Sequence, residues 1–215
     1  VDNKGRLIGV INIDDVVEIV HEETNEDMML LTGAESNDVY RSVFSIFKSR
    51  SIWLVTNLFA TIVAASVVGE FQDIIAQLSI LAVLMPIVAS MGGTTGQQTL
   101  AVVVRSLATK ELNSRNALRM IGKEFMVGLC NGLLFAVMIG IAVRIWFPGQ
   151  EMISYIIALA MLCNLTVASL AGILIPLTIN RLKIDPAIAS GVFLIACTDS
   201  GGYFIFLGLA KLLLF

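Results

Sequence analysis

Residues 74–104 read IIAQLSILAVLMPIVASMGGTTGQQTLAVVV, a run without one charged side chain. A hydrocarbon core about 30 Å thick is crossed by roughly 20 apolar residues in a helix, so this stretch spans a bilayer with residues to spare. It also carries Pro86 and a polar, glycine-rich segment, SMGGTTGQQ, at 90–98. Proline and glycine weaken a helix interior, and the reading is a helix broken at depth by irregular backbone. Such backbone is tolerated in a membrane only where protein buries it or where it lines a cavity. The segment is therefore a candidate wall of a polar path, with carbonyls and hydroxyls as hard oxygen ligands.

Four further runs share this apolar character, at residues 52–69, 125–143, within 152–180, and from 186 to about 210. With 57% apolar and 14% charged residues and a mean hydropathy of +0.87, the chain is too apolar to cover itself with polar groups in water. The expected fold is an all-α polytopic membrane protein with five transmembrane helices per protomer. Loop charge sets its orientation, because cytoplasmic loops keep lysine and arginine. Lys48 and Arg50 precede the first span; Arg105, Lys110, Arg115, Arg119 and Lys123 lie between the second and third; Arg181 and Lys183 lie between the fourth and fifth. The opposite loops hold Glu70 and Asp73, then Arg144 with Glu151. The N-terminus is expected in the cytoplasm and the C-terminus outside.

The first forty residues differ in kind. They hold ten of the seventeen acids, against only Lys4 and Arg6, which excludes a nucleic-acid surface there. Residues 2–6 look like a turn, residues 7–13 alternate like a short strand, and Asp14 or Asp15 is placed to cap a helix running to about Leu31. This is the edge of a soluble α/β unit too short to hold its own core, and with Val1 at the start it suggests a piece of a longer protein. The acids Asp14, Asp15, Glu18, Glu22, Glu23, Glu26 and Asp27 are candidate residual cytosolic cation sites. Cys130, Cys163 and Cys197 each sit in an apolar run with no metal-ligand spacing, and His21 is the single histidine, so zinc chemistry has little to work with.

Helix faces carry a second pattern. Gly128, Gly132, Ala136 and Gly140 form a small-residue stripe on the third span, and Asn164, Ala168, Ala171 and Gly172 form one on the fourth. Such stripes let helices approach closely in lipid and read as packing seams, with polar Asn164 as the exception.

Asp199 is the most informative residue. It lies about eleven residues into the fifth span, roughly 16 Å along the helix, near the bilayer midplane. A carboxylate there needs a partner, a proton or a water-filled path, and intramembrane ionisable groups default to function. Gly191, Ile195 and Gly202 share its stripe and leave room for water. The structural alternative is a protonated aspartate bonded to Asn164 or Thr198. One carboxylate among carbonyls and waters suits a hard divalent cation, and Mg²⁺ gives up its waters reluctantly, so a largely hydrated ion is expected. Two rivals use the same residue. A proton-coupled carrier would use Asp199 as a relay, and Asp199-Ser200-Gly201 matches the D-[ST]-G triplet of aspartic proteases, although it lies in a helical run rather than on a loop of a β fold.

Read in order, the segments resemble the MgtE family of magnesium channels and transporters. DNKGRLIGVINIDD at 2–15 is similar to the closing strand pair of a CBS domain, and DDVVEIVHEETNEDMMLLTG to the helix that follows it. The second span carries P-x5-GG-x2-G-x-Q and then VVVRSLA, followed by KEFMVGLCNGLL, the span with Asn164, and KIDPAIASGVFLIACTD at 183–199. The resemblance implies a multi-pass protein of a bacterial plasma membrane. It also implies a homodimer with the pore at the dimer interface and Mg²⁺ as the transported and bound ion. On it, Asp199 matches the pore aspartate, and Gly92, Gly93, Gly96 and Gln98 match the GGNxGxQ element, with Thr94 where Asn is common. Ser90 and Gly191 fall where some members have Gly and Asn. The domain reading is then a CBS remnant and following helix at 1–35, a connecting helix at 36–50 and an ion-conducting domain at 51–215. No enzymatic activity is implied, and the partners are a second copy, the lipid bilayer and divalent cations.

Overall fold

The computed structural model describes residue 6 and residues 11–34, 38–112 and 116–214. The strand expected at 7–13 falls largely outside them, as do the side chains of Glu23 and Asp27. Seven α-helices are described: α1 (Ile13–Leu30), α2 (Val43–Gly69), α3 (Gln72–Gln77), α4 (Ile80–Ala108), α5 (Ala117–Trp146), α6 (Glu151–Arg181) and α7 (Pro186–Leu214), with one short turn of helix at Asp38–Tyr40 before α2. Five of them, α2, α4, α5, α6 and α7, are long and apolar enough to cross a membrane.

The start of α1 corrects the expected cap. The helix begins at Ile13, and Asp15 reaches back to accept the Asn12 backbone N–H at 2.9 Å. Asp15 thus acts from inside the first turn, as the returning half of a capping box does. Helix α2 is capped by Ser42, whose hydroxyl accepts from the Ser45 N–H, and runs unbroken from Val43 through the first span. Asp38 ties the preceding turn to that helix through Arg41 at 3.2 Å and Arg50 at 2.8 Å.

The glycine-rich interruption is the main correction. Residues 90–98 are continuous α-helix in the middle of α4, with Pro86 accommodated one turn earlier. The hydroxyls of Thr94 and Thr95 donate to the carbonyls of Ser90 and Met91, both at 2.8 Å. The expected break would free backbone groups where no water meets them, a cost larger than the roughly 1 kcal/mol intrinsic penalty of a helical glycine. The glycines serve close approach instead. A Cβ on Gly92 would lie 2.5 Å from the Asn164 amide nitrogen, and one on Gly96 would lie 3.0 Å from Leu194.

Helix α6 is the centre of the bundle, packed by α5 on one side and by α4 and α7 on the other. The α5 stripe is the seam that the sequence suggests: a Cβ at Gly128 would meet the Ser169 side chain at 2.8 Å, and one at Gly132 the Leu162 carbonyl at 2.9 Å. One turn along α6 from Ser169, Gly172 lies against the Gly96 carbonyl of α4. With lipid tails as apolar as the side chains, this dense van der Waals fit is what favours association. One end of the bundle is closed by a cluster of Leu81, Leu84, Val88, Ile156, Ile157 and Phe206, joined by Ile74 of α3 and by Phe71 just before it. Helix α2 is peripheral. It packs along α7 through Ala60 and Ala64 and leaves Leu54, Leu58 and Phe59 exposed.

Candidate functional site

Asp199 lies thirteen residues after Pro186 in a 29-residue helix, at its middle. It is partly buried and opens into a cavity of about 240 Å³ between three helices. Thr61, Ala64, Ala65 and Val68 of α2, Met85 of α4 and Tyr203 of α7 complete the wall. The small side chains of α2 make the space, and Tyr203, one turn along α7 from Asp199, places a second oxygen-bearing side chain on the same face. Thr61 donates its hydroxyl proton to the Asn57 carbonyl at 3.0 Å, which leaves the hydroxyl lone pairs as acceptors.

The bonds that the structural alternative would use are not formed in the structure. The Thr198 hydroxyl donates to the carbonyls of Leu194 and Ile195, and the Asn164 amide donates to the Val88 carbonyl at 2.7 Å. Among the described residues, none makes a hydrogen bond or ion pair to the Asp199 carboxylate. The D-[ST]-G triplet lies inside α7 with helical backbone on both sides, not on the loop that an aspartic protease dyad requires.

The other expected path residues do not line this cavity. Asn164 is buried at the joint of α4, α6 and α7, with its amide group over Gly92 and Gly202. Gly96 packs on Leu194, and Gly191 sits beneath the Leu31 carbonyl and the Trp53 ring. Thr198 is buried and Ile195 partly buried. Ser90, Thr94 and Gln98 are exposed on α4, as is Gln97, and a Cβ on Gly93 would meet nothing within 4 Å. A stripe of polar side chains thus stands on the outer face of a membrane-length helix. The acids of α1 whose side chains are described, Asp14, Asp15, Glu18, Glu22 and Glu26, are exposed, and no group of three metal-ligating side chains comes together among the described residues. Sequence reasoning missed Thr61, Ala64, Met85 and Tyr203. The small pair Ala60 and Ala64, one turn apart on α2, was the signal for a helix contact there.

The family model described as "MgtE: Divalent cation transporter" matches residues 85–209. The chain is similar to proteins named magnesium transporter MgtE from three bacteria. It is 33% identical over 211 residues to that of Enterococcus faecalis, covering 98% of this chain and 46% of the relative. The identity is 31% over 211 residues to that of Bacillus subtilis, with 98% and 47% covered. For Thermus thermophilus it is 29% over 218 residues, with 100% and 48% covered. The chain spans about half the length of these relatives.

Proposed function

Because this chain belongs to the MgtE family of divalent cation transporters, we propose that its membrane helices pass hydrated Mg²⁺ across the bilayer beside the carboxylate of Asp199. The chain is a multi-pass membrane protein of a transporter family and not an enzyme. The observation that carries the reading is a carboxylate at mid-helix, without a hydrogen-bonding partner among the described residues, facing a cavity of about 240 Å³. Mg²⁺ keeps an octahedral water shell, and six waters at roughly 30 Å³ each need roughly 180 Å³. The cavity accommodates that shell. Waters polarised by the ion present their protons outward, and Asp199 and Thr61 offer acceptor oxygens to them. One carboxylate attracts the ion without stripping its waters, so release stays possible.

The polar outer face of α4 supports a homodimer. Gln97 and Gln98 cannot face hydrocarbon without loss of hydrogen bonding, so a second copy or a water column between copies would cover them. In this reading residues 51–215 are the conducting part, and residues 1–50 are the remainder of a cytosolic CBS unit with its connector. The N-terminus is cytoplasmic. The acids of α1 then belong to cytosolic divalent sites completed by parts of the longer relatives.

The test is Mg²⁺ uptake into liposomes that hold a Mg²⁺-sensitive dye. Asp199→Ala and Asp199→Asn should abolish uptake while elution profile and thermal stability stay at wild-type values. Wild-type uptake by the alanine variant would overturn the assignment.

A further inference from the structure

Two polar atoms in the seam between α2 and α7 lack partners. The Trp53 indole nitrogen Nε1 and the Asn57 amide oxygen Oδ1 are both shielded from solvent with no hydrogen bond. They stand four residues apart on α2, on the same face as the buried Ala60 and Ala64.

The register of the seam places them relative to the site. Trp53 lies against Gly33, and its ring is 3.7 Å from where a Cβ on Gly191 would sit. Further along, Thr61 and Ala64 share a cavity with Asp199 and Tyr203. The two helices therefore run side by side in the same direction. Asn57, one turn beyond Trp53 and one turn before Thr61, occupies the level just N-terminal to the Asp199 cavity. Beside the seam a larger cavity of about 550 Å³ extends from Gly33 and Trp53 to Val63 and Ala196, so the contact is open along much of its length.

Asparagine in a membrane helix ordinarily bonds across to a neighbour, as Asn164 does to Val88. Asn57 leaves its oxygen unused on the face of α2 that meets α7. A buried acceptor without a donor costs free energy on the scale of the bond it forgoes, and a leucine of similar size would fill the place without that cost. An indole donor and an amide acceptor one turn apart match the two hydrogen-bonding senses of a water molecule. The indole N–H cannot ligate a cation, so the pair as a whole suits a hydrated ion better than a bare one.

We infer that Asn57 is a second oxygen station of the ion path, accepting from the water shell of a hydrated divalent cation as it moves between Asp199 and the N-terminal ends of α2 and α7. Helix α2 is then a wall of the path and not only a lipid-facing helix. This rests on the reading of Asp199 as the ion site, and the experiment separates the two.

The full-length protein is reconstituted in liposomes, and Mg²⁺ uptake is measured against external Mg²⁺ for wild type, Asn57→Leu, Asn57→Asp and Asp199→Ala. Asn57→Leu should lower maximal uptake by about tenfold, the weight of one hydrogen bond at the upper end of the usual range, with thermal stability unchanged or raised. Asn57→Asp should keep uptake and lower the half-saturating Mg²⁺ concentration, because it keeps the acceptor and adds a charge. A purely structural asparagine predicts the reverse: the leucine variant conducts, and the aspartate variant, with a charge in a dry seam, loses stability. Wild-type uptake by Asn57→Leu together with silent Asp199→Ala would overturn this inference and leave the Asp199 reading standing. Uptake by Asp199→Ala with silent, stable Asn57→Leu would keep Asn57 on the path and remove Asp199. Uptake by both would remove both.

Discussion

Gly172→Ala should destabilise the bundle, although alanine is the better helix former. The added Cβ would lie 2.6 Å from the Gly96 carbonyl oxygen and 2.8 Å from the Thr99 Cβ, with the Thr99 methyl at 3.1 Å. Ordinary carbon contacts begin near 3.5 Å, so the gap to the Thr99 Cβ is short by about 0.7 Å. The obstruction is backbone and a Cβ, which no rotamer change can move, so α4 as a body would have to retreat from α6. Overpacking of this kind costs about 1–3 kcal/mol. For a chain of this size that corresponds to a fall of roughly 2–12 °C in melting temperature. The comparison is Gly93→Ala on α4, where a Cβ would meet nothing within 4 Å. There the helix-propensity gain of about 0.8–1 kcal/mol acts alone, so the change should be neutral or stabilising. Thermal unfolding of both variants in detergent, followed by loss of the monodisperse elution peak, reads the two signs. If Gly172→Ala melts at or above wild type, the close approach of α4 and α6 is not what holds these helices.

Enlarging Gly93 further, to Leu, should leave expression and melting temperature near wild type because the position faces open space. If the outer face of α4 lines a water column between two copies, Gly93→Leu should cut Mg²⁺ uptake in the liposome assay, and unchanged uptake would take that face off the path. Asn164→Leu removes one interhelical bond of a kind worth about 0.6–2 kcal/mol, so the melting temperature should fall by a few degrees while uptake persists. A stable Asn164→Leu protein without uptake would return Asn164 to the ion path.

The five spans were legible because nothing but a membrane explains repeated charge-free runs of that length, and each one is a helix in the structure. Their ends were less legible. Helix α2 starts at Val43 and carries Lys48 and Arg50 within it, since a helix can run on past the hydrocarbon where charge is tolerated. The break at 90–98 was misread because glycine's helix penalty is measured in water, where freed backbone groups are solvated. In a membrane the same glycines keep their hydrogen bonds and bring helices together. The place of Asp199 at mid-helix could be read from a single charge in an apolar run. The identity of the helix facing it could not. The pairing of α2 with α7 depends on which small faces meet in three dimensions, and Ala60 with Ala64 makes a shorter, weaker stripe than the glycines of α5.

These contacts divide the bundle into two kinds of joint. Where α6 meets α4 and α5, backbone carbonyls at Gly96 and Leu162 lie against glycines with no space for a single added carbon. Such joints cannot slide without a clash, and they fix α4, α5 and α6 as a rigid frame. Where α2 meets α7, Ala60 and Ala64 make the buried contact, while cavities of about 550 Å³ and 240 Å³ lie along the seam. Asp199, Asn57 and Trp53 all stand on this second, looser joint. An ion that keeps its water shell needs room more than it needs ligands. Room exists where two helices touch through alanine side chains instead of through interlocked backbone, so the frame that holds the molecule together and the seam that holds its carboxylate are built from different helix pairs.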